Sequence, residues 1–334
     1  MSNVTIKDVA LLAEVSVGTV SRYINGYQLK AGNRKKIEKA IEELDFKINP
    51  LARGLRSSKT FTIGVLIPRI SDVFCTQVIE GIEEAMASLN YSILICSSND
   101  SVQQQTDKMN GLMDKCVDGI IVMPVSSNEW SWRGSSDNRI PIVLIDRLVR
   151  ECEWDAVVSD NVNGAYSAVE MLINHGHRKI GIIAGPQNIS TAQERLTGYM
   201  RALNDYNIVV NDDYIVYAPY TKNGGIEAVN RLVGLTDPPT AIFSTNHPTT
   251  VNSLKVLMEK ELVIGNQISL CGYDQTELFQ MFTPPISVVV QPARDMGISA
   301  ATTLMKRING DYEGFPLIKR LKTQLIATSS VKKI

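Results

Sequence analysis

The 334-residue sequence predicts an all-α helix-turn-helix head followed by an α/β body of two parallel-sheet lobes. Three observations carry this reading. Residues 1–60 hold eleven Lys and Arg against six Asp and Glu, a net +5, whereas the remainder of the chain carries −6. Two short helical patterns open the chain, separated by three or four residues. From Thr60 onward, short β-branched runs alternate with amphipathic helical stretches, and strands apolar on both faces belong to parallel sheets covered by helices.

The head follows from its caps and its periodicity. Thr5-Ile6-Lys7-Asp8 has the spacing of a capping box, with Thr5 as N-cap, and Ile6, Val9, Ala10 and Ala13 share one helical face. After a break at Glu14-Val15, Ser16 is a second N-cap candidate for a helix over Val17–Ile24. Val20 and Ile24 are expected to point inward, and Val17, Gly18, Ser21 and Arg22 outward, before Asn25-Gly26 stops the helix. A third helix, about Asn33 to Leu44, offers Ile37, Ile41 and Leu44 as packing residues. Such a pair presents its second helix to a DNA major groove, and a basic head on an acidic body suits phosphate neutralisation.

In the body the expected strands are Thr62–Ile67, Ser92–Cys96, Gly119–Met123, Pro141–Ile145, Ile180–Ile183, Ala241–Ser244, Ile268–Gly272 and Ser287–Val290. Between them fall helical patterns over Val78–Leu89, Gln103–Lys115, Gly164–Asn174, Arg195–Asn204, Gly225–Leu232 and Val251–Lys260. These strands are too many for one comfortable sheet, hence two lobes. Ligands of such sheets bind outside the carboxyl ends of the strands. Those ends carry Pro68 to Phe74, Asp146-Arg147, Gly185-Pro186, Asn246 and Asp274.

Other function classes find little support. No apolar run approaches the roughly 18 residues of a membrane span. The opening MSNVTIKDVALLAEVSV lacks a secretory pattern, so a cytoplasmic protein is expected rather than an exported receptor. Cys75, Cys96, Cys116, Cys152 and Cys271 are scattered and odd in number, which fits a reducing compartment. His175, His177 and His247 lack the companions of a zinc site, and His175-Gly176-His177 is expected to pack at a turn. No nucleophile elbow, phosphate loop or G-x-G-x-x-G is present, so no enzyme is expected. Trp130 and Trp132 are expected to form a lid or a partner contact.

The run VTIKDVALLAEVSVGTVSRYINGY resembles the DNA-binding head of the LacI/GalR repressor family, with its I-x-D-V-A…V-S…T-V-S-R-x-(L/I/V)-N pattern nearly intact. Asn49-Pro50-Leu51-Ala52-Arg53-Gly54-Leu55-Arg56 resembles the family's hinge helix. TIGVLIPRISDVF, VDGIIVMP, PIVLIDR, GHRKIGIIAGP, ERLTGY, PPTAIFSTN, ISLCGYD and QPARDMG resemble its periplasmic-binding-protein-like body, in order along essentially the whole chain. The resemblance implies a DNA-binding domain over 1–47, a hinge and linker over 48–60, and an effector and dimerisation domain over 61–334. Lobe 1 would take about 61–159 and 291–320, and lobe 2 about 160–290 and 321–334.

It implies a homodimeric repressor on a palindromic operator, switched by a small sugar-like effector and needing no cofactor. Val17, Gly18 and Arg22 would meet base edges, Ser16, Thr19, Ser21 and Asn25 phosphates, and Leu55 the minor groove, with Thr5, Asn49, Ala52 and Arg53 also on DNA. The effector would meet Phe74, Asp146, Thr191, Arg195, Tyr220, Asn246 and Asp274. Carboxylates, an amide, a forked Arg and aromatic faces together suit a polyhydroxyl ring. The sequence departs from the family at Lys30 to Lys36, where S-x-E-T-R is usual. It departs again at Asn246-His247-Pro248-Thr249-Thr250 in place of N-D-x-x-A, and at Lys222-Asn223-Gly224-Gly225 in place of E-S-G-Y. Ile189 stands where purine-binding members carry arginine, which disfavours a purine.

Overall fold

A computed structural model describes residues 4–24, 27–46, 59–128, 130, 140–151, 153–274 and 277–334. The chain divides into two compact units, Met1–Thr60 and Phe61–Ile334.

The first unit is helical: α1 Ile6–Leu12, α2 Val17–Ile24 and α3 Ala31–Glu43. The Thr5 N–H and hydroxyl both donate to the Asp8 carboxylate, at 2.8 and 2.7 Å, which fixes the start of α1. Ser16 caps α2 by accepting the Thr19 N–H at 3.2 Å. Val9, Ala10, Ala13, Val20, Ile37 and Ala40 form the core, with Ile6, Ile24, Ile41 and Leu44 packed around it. Val17, expected to point outward, is half-buried against this core, because a residue at the start of α2 faces the α1–α2 turn. The Asn25-Gly26 stop and the hinge segment Asn49 to Arg56 lie outside the described residues.

The second unit contains twelve strands among its described residues. They are β1 Thr62–Ile67, β2 Ser92–Ser97, β3 Gly119–Val122, β4 Ile142–Ile145, β5 Asp155–Ser159, β6 Ile180–Ile183, β7 Ile215–Val216, β8 Ala241–Ser244, β9 Ser269–Tyr273, β10 Ser287–Val290, β11 Ile318–Leu321 and β12 Gln324–Ile326. They build two six-stranded sheets, ordered β11-β5-β4-β3-β1-β2 and β12-β10-β9-β8-β6-β7. Every pairing is parallel except β10 with β12. Without their last-added edges the two sheets have the same order, 5-4-3-1-2 and 10-9-8-6-7. Each therefore has a switch point, between β1 and β3 and between β6 and β8, where a crevice opens at the carboxyl ends of the strands.

The long helices are α4 Val73–Ala87, α5 Val102–Asp114, α6 Asn161–Asn174, α7 Ser190–Asp205, α8 Lys222–Val233, α9 His247–Glu259 and α11 Ala293–Ile308, with a short α10 over Glu277–Met281. Several begin earlier than their apolar periodicity suggests, because caps set the boundary. Asp72 accepts from the N–H groups of Phe74 and Cys75 at the head of α4, and Asn246 from that of Thr249 at the head of α9. Helices α4 and α11 cross at glycines. A Cβ on Gly81 would lie 2.0 Å from the Arg294 carbonyl oxygen, and one on Gly297 would lie 2.2 Å from that of Val78.

Three chain segments pass between the sheets: 159–161, 290–293 and 321–324. They are tied together, since the Ser159 hydroxyl donates to Gln291 at 2.6 Å and the Asp160 N–H to the Leu321 carbonyl at 2.8 Å. Trp130, half-buried, packs against Trp154, ring centroids 5.3 Å apart, at the edge of the first lobe's core. Trp132 lies outside the described residues, as does Cys152. Among the described residues no helix is long and apolar enough to cross a membrane.

Candidate effector cleft and nucleic-acid interface

On the head, Ser16, Gly18 and Arg22 are exposed, and Thr19 and Ser21 are half-buried on the same short helix. The Ser16 and Thr19 hydroxyls bond each other at 2.8 Å, leaving lone pairs and one proton for an outside partner. Among the described residues Arg22 has no ion-pair partner, so its five donors remain available. The basic segment ahead of and within α3 is partly committed internally. Arg34 pairs with Glu38 at 2.8 Å, and Lys36 with Glu14 at 2.9 Å. Thr5 is exposed, but its hydroxyl proton is already given to Asp8. Asn25, Asn49, Ala52, Arg53 and Leu55 lie outside the described residues.

In the body, the seven residues Phe74, Asp146, Thr191, Arg195, Tyr220, Asn246 and Asp274 line a single cavity between the lobes. They reach it from separate elements: Phe74 from the first turn of α4, Asp146 just past β4, and Thr191 and Arg195 from α7. Asn246 comes from the cap of α9, and Asp274 from just past β9. Tyr220 precedes α8 and lays its ring on Gly185, where a Cβ would lie 2.4 Å from the ring; that glycine also has φ +71°. The cavity measures about 60 Å³ in this conformation.

Its polar groups are only partly satisfied. Arg195 donates to Asn161 Oδ1 at 2.9 Å and to the Thr245 carbonyl at 2.6 Å, and stacks 3.8 Å over the Tyr273 ring. Asp274 accepts from Gln291 Nε2 at 2.7 Å. Asn246 Oδ1 is spent on the cap of α9, which leaves its NH₂ for a ligand. Asp146 Oδ1 is buried without a hydrogen-bond partner, and the Tyr220 hydroxyl lies beside Thr245 without a well-formed bond. Unmade bonds of this kind are costly unless something else completes them. Burial pushes the Asp146 carboxyl up to about 6, against the pull of Arg147 and Arg195. Burial also raises Asp274, opposed by Arg195 and by the Gln291 hydrogen bond.

Asp72 and Arg147, noted at the strand ends but not among the expected effector contacts, also line the cavity, as does Gln291, which sequence reasoning missed. Arg147 follows Asp146 and pairs with it at 3.4 Å while its Nη1 donates to the Pro124 carbonyl at 3.0 Å. Gln291 opens the QPARDMG segment, and its place at the end of β10 was the available signal. Two of the histidines stay outside the cleft chemistry, since His175 Nδ1 contacts the Met171 carbonyl and His177 Nδ1 contacts Thr240 Oγ1, each at 2.8 Å, whereas His247 packs on Phe279 and works to lower the Asp274 carboxyl. Among the described residues no cluster of three or more His, Cys, Asp or Glu is placed to hold a metal.

Residues 5–49 match the bacterial regulatory proteins of the lacI family, and residues 169–331 match a periplasmic binding protein-like domain. The chain is 36% identical over 310 residues to catabolite control protein A of Priestia megaterium, covering 92% of this chain and 93% of the relative. Its fold superposes on the Lac repressor dimer bound to operator and the anti-inducer ONPF with a TM-score of 0.86 at 22% identity, over 99% of this chain and 100% of the other. A regulator named CelR, solved in complex with cellobiose, matches at TM-score 0.71 and 26% identity, over 98% of this chain and 99% of that one. With its helix-turn-helix head, its two-lobed body and these relatives, the chain belongs to the LacI family of bacterial transcriptional regulators, as a DNA-binding repressor and not an enzyme.

Proposed function

We propose that this repressor acts in the cytoplasm as a homodimer on a palindromic operator and is switched by a sugar-like effector held between its lobes. One observation carries the effector reading. Seven residues scattered from Phe74 to Asp274 converge on one cleft at the strand ends of both sheets, and their chemistry is that of a polyhydroxyl pocket. The unpartnered Asp146 oxygen and the spare Asn246 amide are an acceptor and a donor for ring hydroxyls. Arg195 forks across further oxygens, and Phe74 and Tyr220 offer apolar faces. The relative solved with cellobiose supports a sugar as the class of ligand.

At the head, Arg22 reads a base edge beside Val17 and Gly18, while Ser16, Thr19, Ser21 and Asn25 hold phosphates and Thr5 adds a backbone contact. Asn49, Ala52 and Arg53 belong to a hinge that seats Leu55 in the minor groove. Seating a sugar ring between the lobes needs them to part and re-close around it. In a dimer that motion alters the spacing of the two hinges and thereby the fit to DNA. Two experiments test the reading. In vitro selection of duplexes by the full-length chain should return an inverted repeat, and a non-palindromic consensus overturns the dimer. Arg195→Ala should keep operator binding in fluorescence anisotropy and lose the response to the sugar that releases or tightens the parent protein. A normal response in that variant places the sensor elsewhere.

A further inference from the structure

A second cavity of about 210 Å³ adjoins the first at the lobe boundary. Phe74, Asp274 and Gln291 line both, so the two are chambers of one cleft. The outer chamber is completed by Val73 and Gln77 of α4, by Glu277 and Gln280 of α10, and by Val290 at the end of β10. Its chemistry is distinctive. Two carboxylates and three carboxamides surround an apolar wall of two valines and a phenylalanine, and among the described residues no Lys, Arg or His lines it.

From these features we infer that the effector is a neutral molecule of at least two ring units, such as a disaccharide or glycoside, with one ring in the inner chamber and the next in the outer. The assignment rests on the sugar-like reading of the cleft. Hydroxyls of a second ring find acceptors in Glu277 and Asp274 and both donors and acceptors in Gln77 and Gln280, while Val73 and Val290 cover an apolar ring face. A phosphate there would face two carboxylates with no Lys, Arg or His in the lining among the described residues, a repulsive pairing that selects against a phosphate in the outer chamber.

The opposite flank explains why the ligand extends this way. Where β3, β4 and β6 end, the lobes are stitched together. The Ser127 N–H donates to the Asn188 carbonyl at 2.8 Å, the Ser190 N–H to Ser127 Oγ at 2.8 Å, and the Leu148 N–H to Ser190 Oγ at 2.9 Å. On the flank at β9 and β10, beside the crossing segment 290–293, the outer chamber leaves room. A ligand seated on Arg195 and Asp146 that outgrows the inner chamber therefore grows toward α10.

Isothermal titration of the full-length chain with cellobiose, maltose, lactose and sucrose, each against its constituent monosaccharides and glucose 6-phosphate, tests this. At least one disaccharide should bind tenfold or more tightly than its monosaccharides, and glucose 6-phosphate should be the weakest probe. Gln77 is exposed on α4, so Gln77→Trp should keep the parent's thermal midpoint while filling the chamber. In that variant the disaccharide advantage should fall below threefold. Monosaccharide binding equal to that of every disaccharide overturns the two-ring assignment and leaves the sugar cleft standing. A disaccharide advantage untouched by Gln77→Trp has the same consequence. Silence from every sugar removes the cleft reading itself, and the outer ring with it.

Discussion

Asp146 and Asp274 occupy matching points in the two lobes. Each is the first residue past its strand, each has a left-handed backbone with φ +65° and +66°, and each donates its N–H to the neighbouring strand, at Val157 and Val289. Aspartate tolerates that backbone better than most side chains, but burial sets its charge against the fold. The Asp146 carboxyl binds its proton more tightly in the folded chain than in the unfolded one. Stability therefore declines as pH rises between 3.8 and about 6, and the full cost persists at pH 7. Asp146→Asn should raise the unfolding free energy of the effector-free protein at pH 7 by about 1–3 kcal/mol, measured by urea denaturation, and abolish the effector response. A destabilised variant would show that the carboxylate is held by more than its arginines. If the effector's hydroxyls donate to ionised Asp146, its affinity should fall about tenfold from pH 7 to pH 5, following the ionised fraction. Titration at the two pH values checks this, and a flat profile removes Asp146 from the contact.

Among the elements, strands with two apolar faces and the helix-turn-helix were legible from composition and spacing, as were the middles of most body helices, though their capped starts and the helix Ala293–Ile308 were not. What escaped was set by pairing at long range. The β5 strand begins with Asp155, a residue no strand pattern invites. It is fully buried and held by Arg307 at 2.7 and 3.0 Å and by the Leu317 N–H at 2.7 Å. Breaking that pair leaves an uncompensated buried charge, so Asp155→Ala should cost about 3–5 kcal/mol. The edge strand β11 reads Ile-Lys-Arg-Leu and is largely exposed, while β7 has two residues, too few to show a period. The cleft was legible because its residues cluster at strand ends; Gln291 was not singled out because its partners, Ser159 and Asp274, are distant in sequence. The α4–α11 crossing depends on the absence of a Cβ at both helices. Gly297→Ala should destabilise by about 1–3 kcal/mol or more through overpacking against the Val78 carbonyl. An unchanged thermal midpoint would show that the helices can part without loss.

At the scale of the whole molecule, effector and operator must report on each other equally. If the effector changes operator affinity by 5- to 150-fold, a coupling of about 1–3 kcal/mol, saturating operator must change effector affinity by the same factor. Titrating effector into the chain with and without its selected duplex measures both sides of that cycle, and unequal factors would mean a further coupled equilibrium. The three segments between the sheets limit what the signal can be. Laid side by side and laced by Ser159, Gln291, Asp160 and Leu321, they act like three pins of a single door: sliding and twisting of one lobe on the other are resisted, and swinging is left. On the switch proposed above, the effector's message is one number, an angle. Ligands of different chemistry can then be ranked along one axis by how far they hold the door, so that an agonist, a weak agonist and an antagonist differ in degree along one movement and not in the kind of motion they provoke.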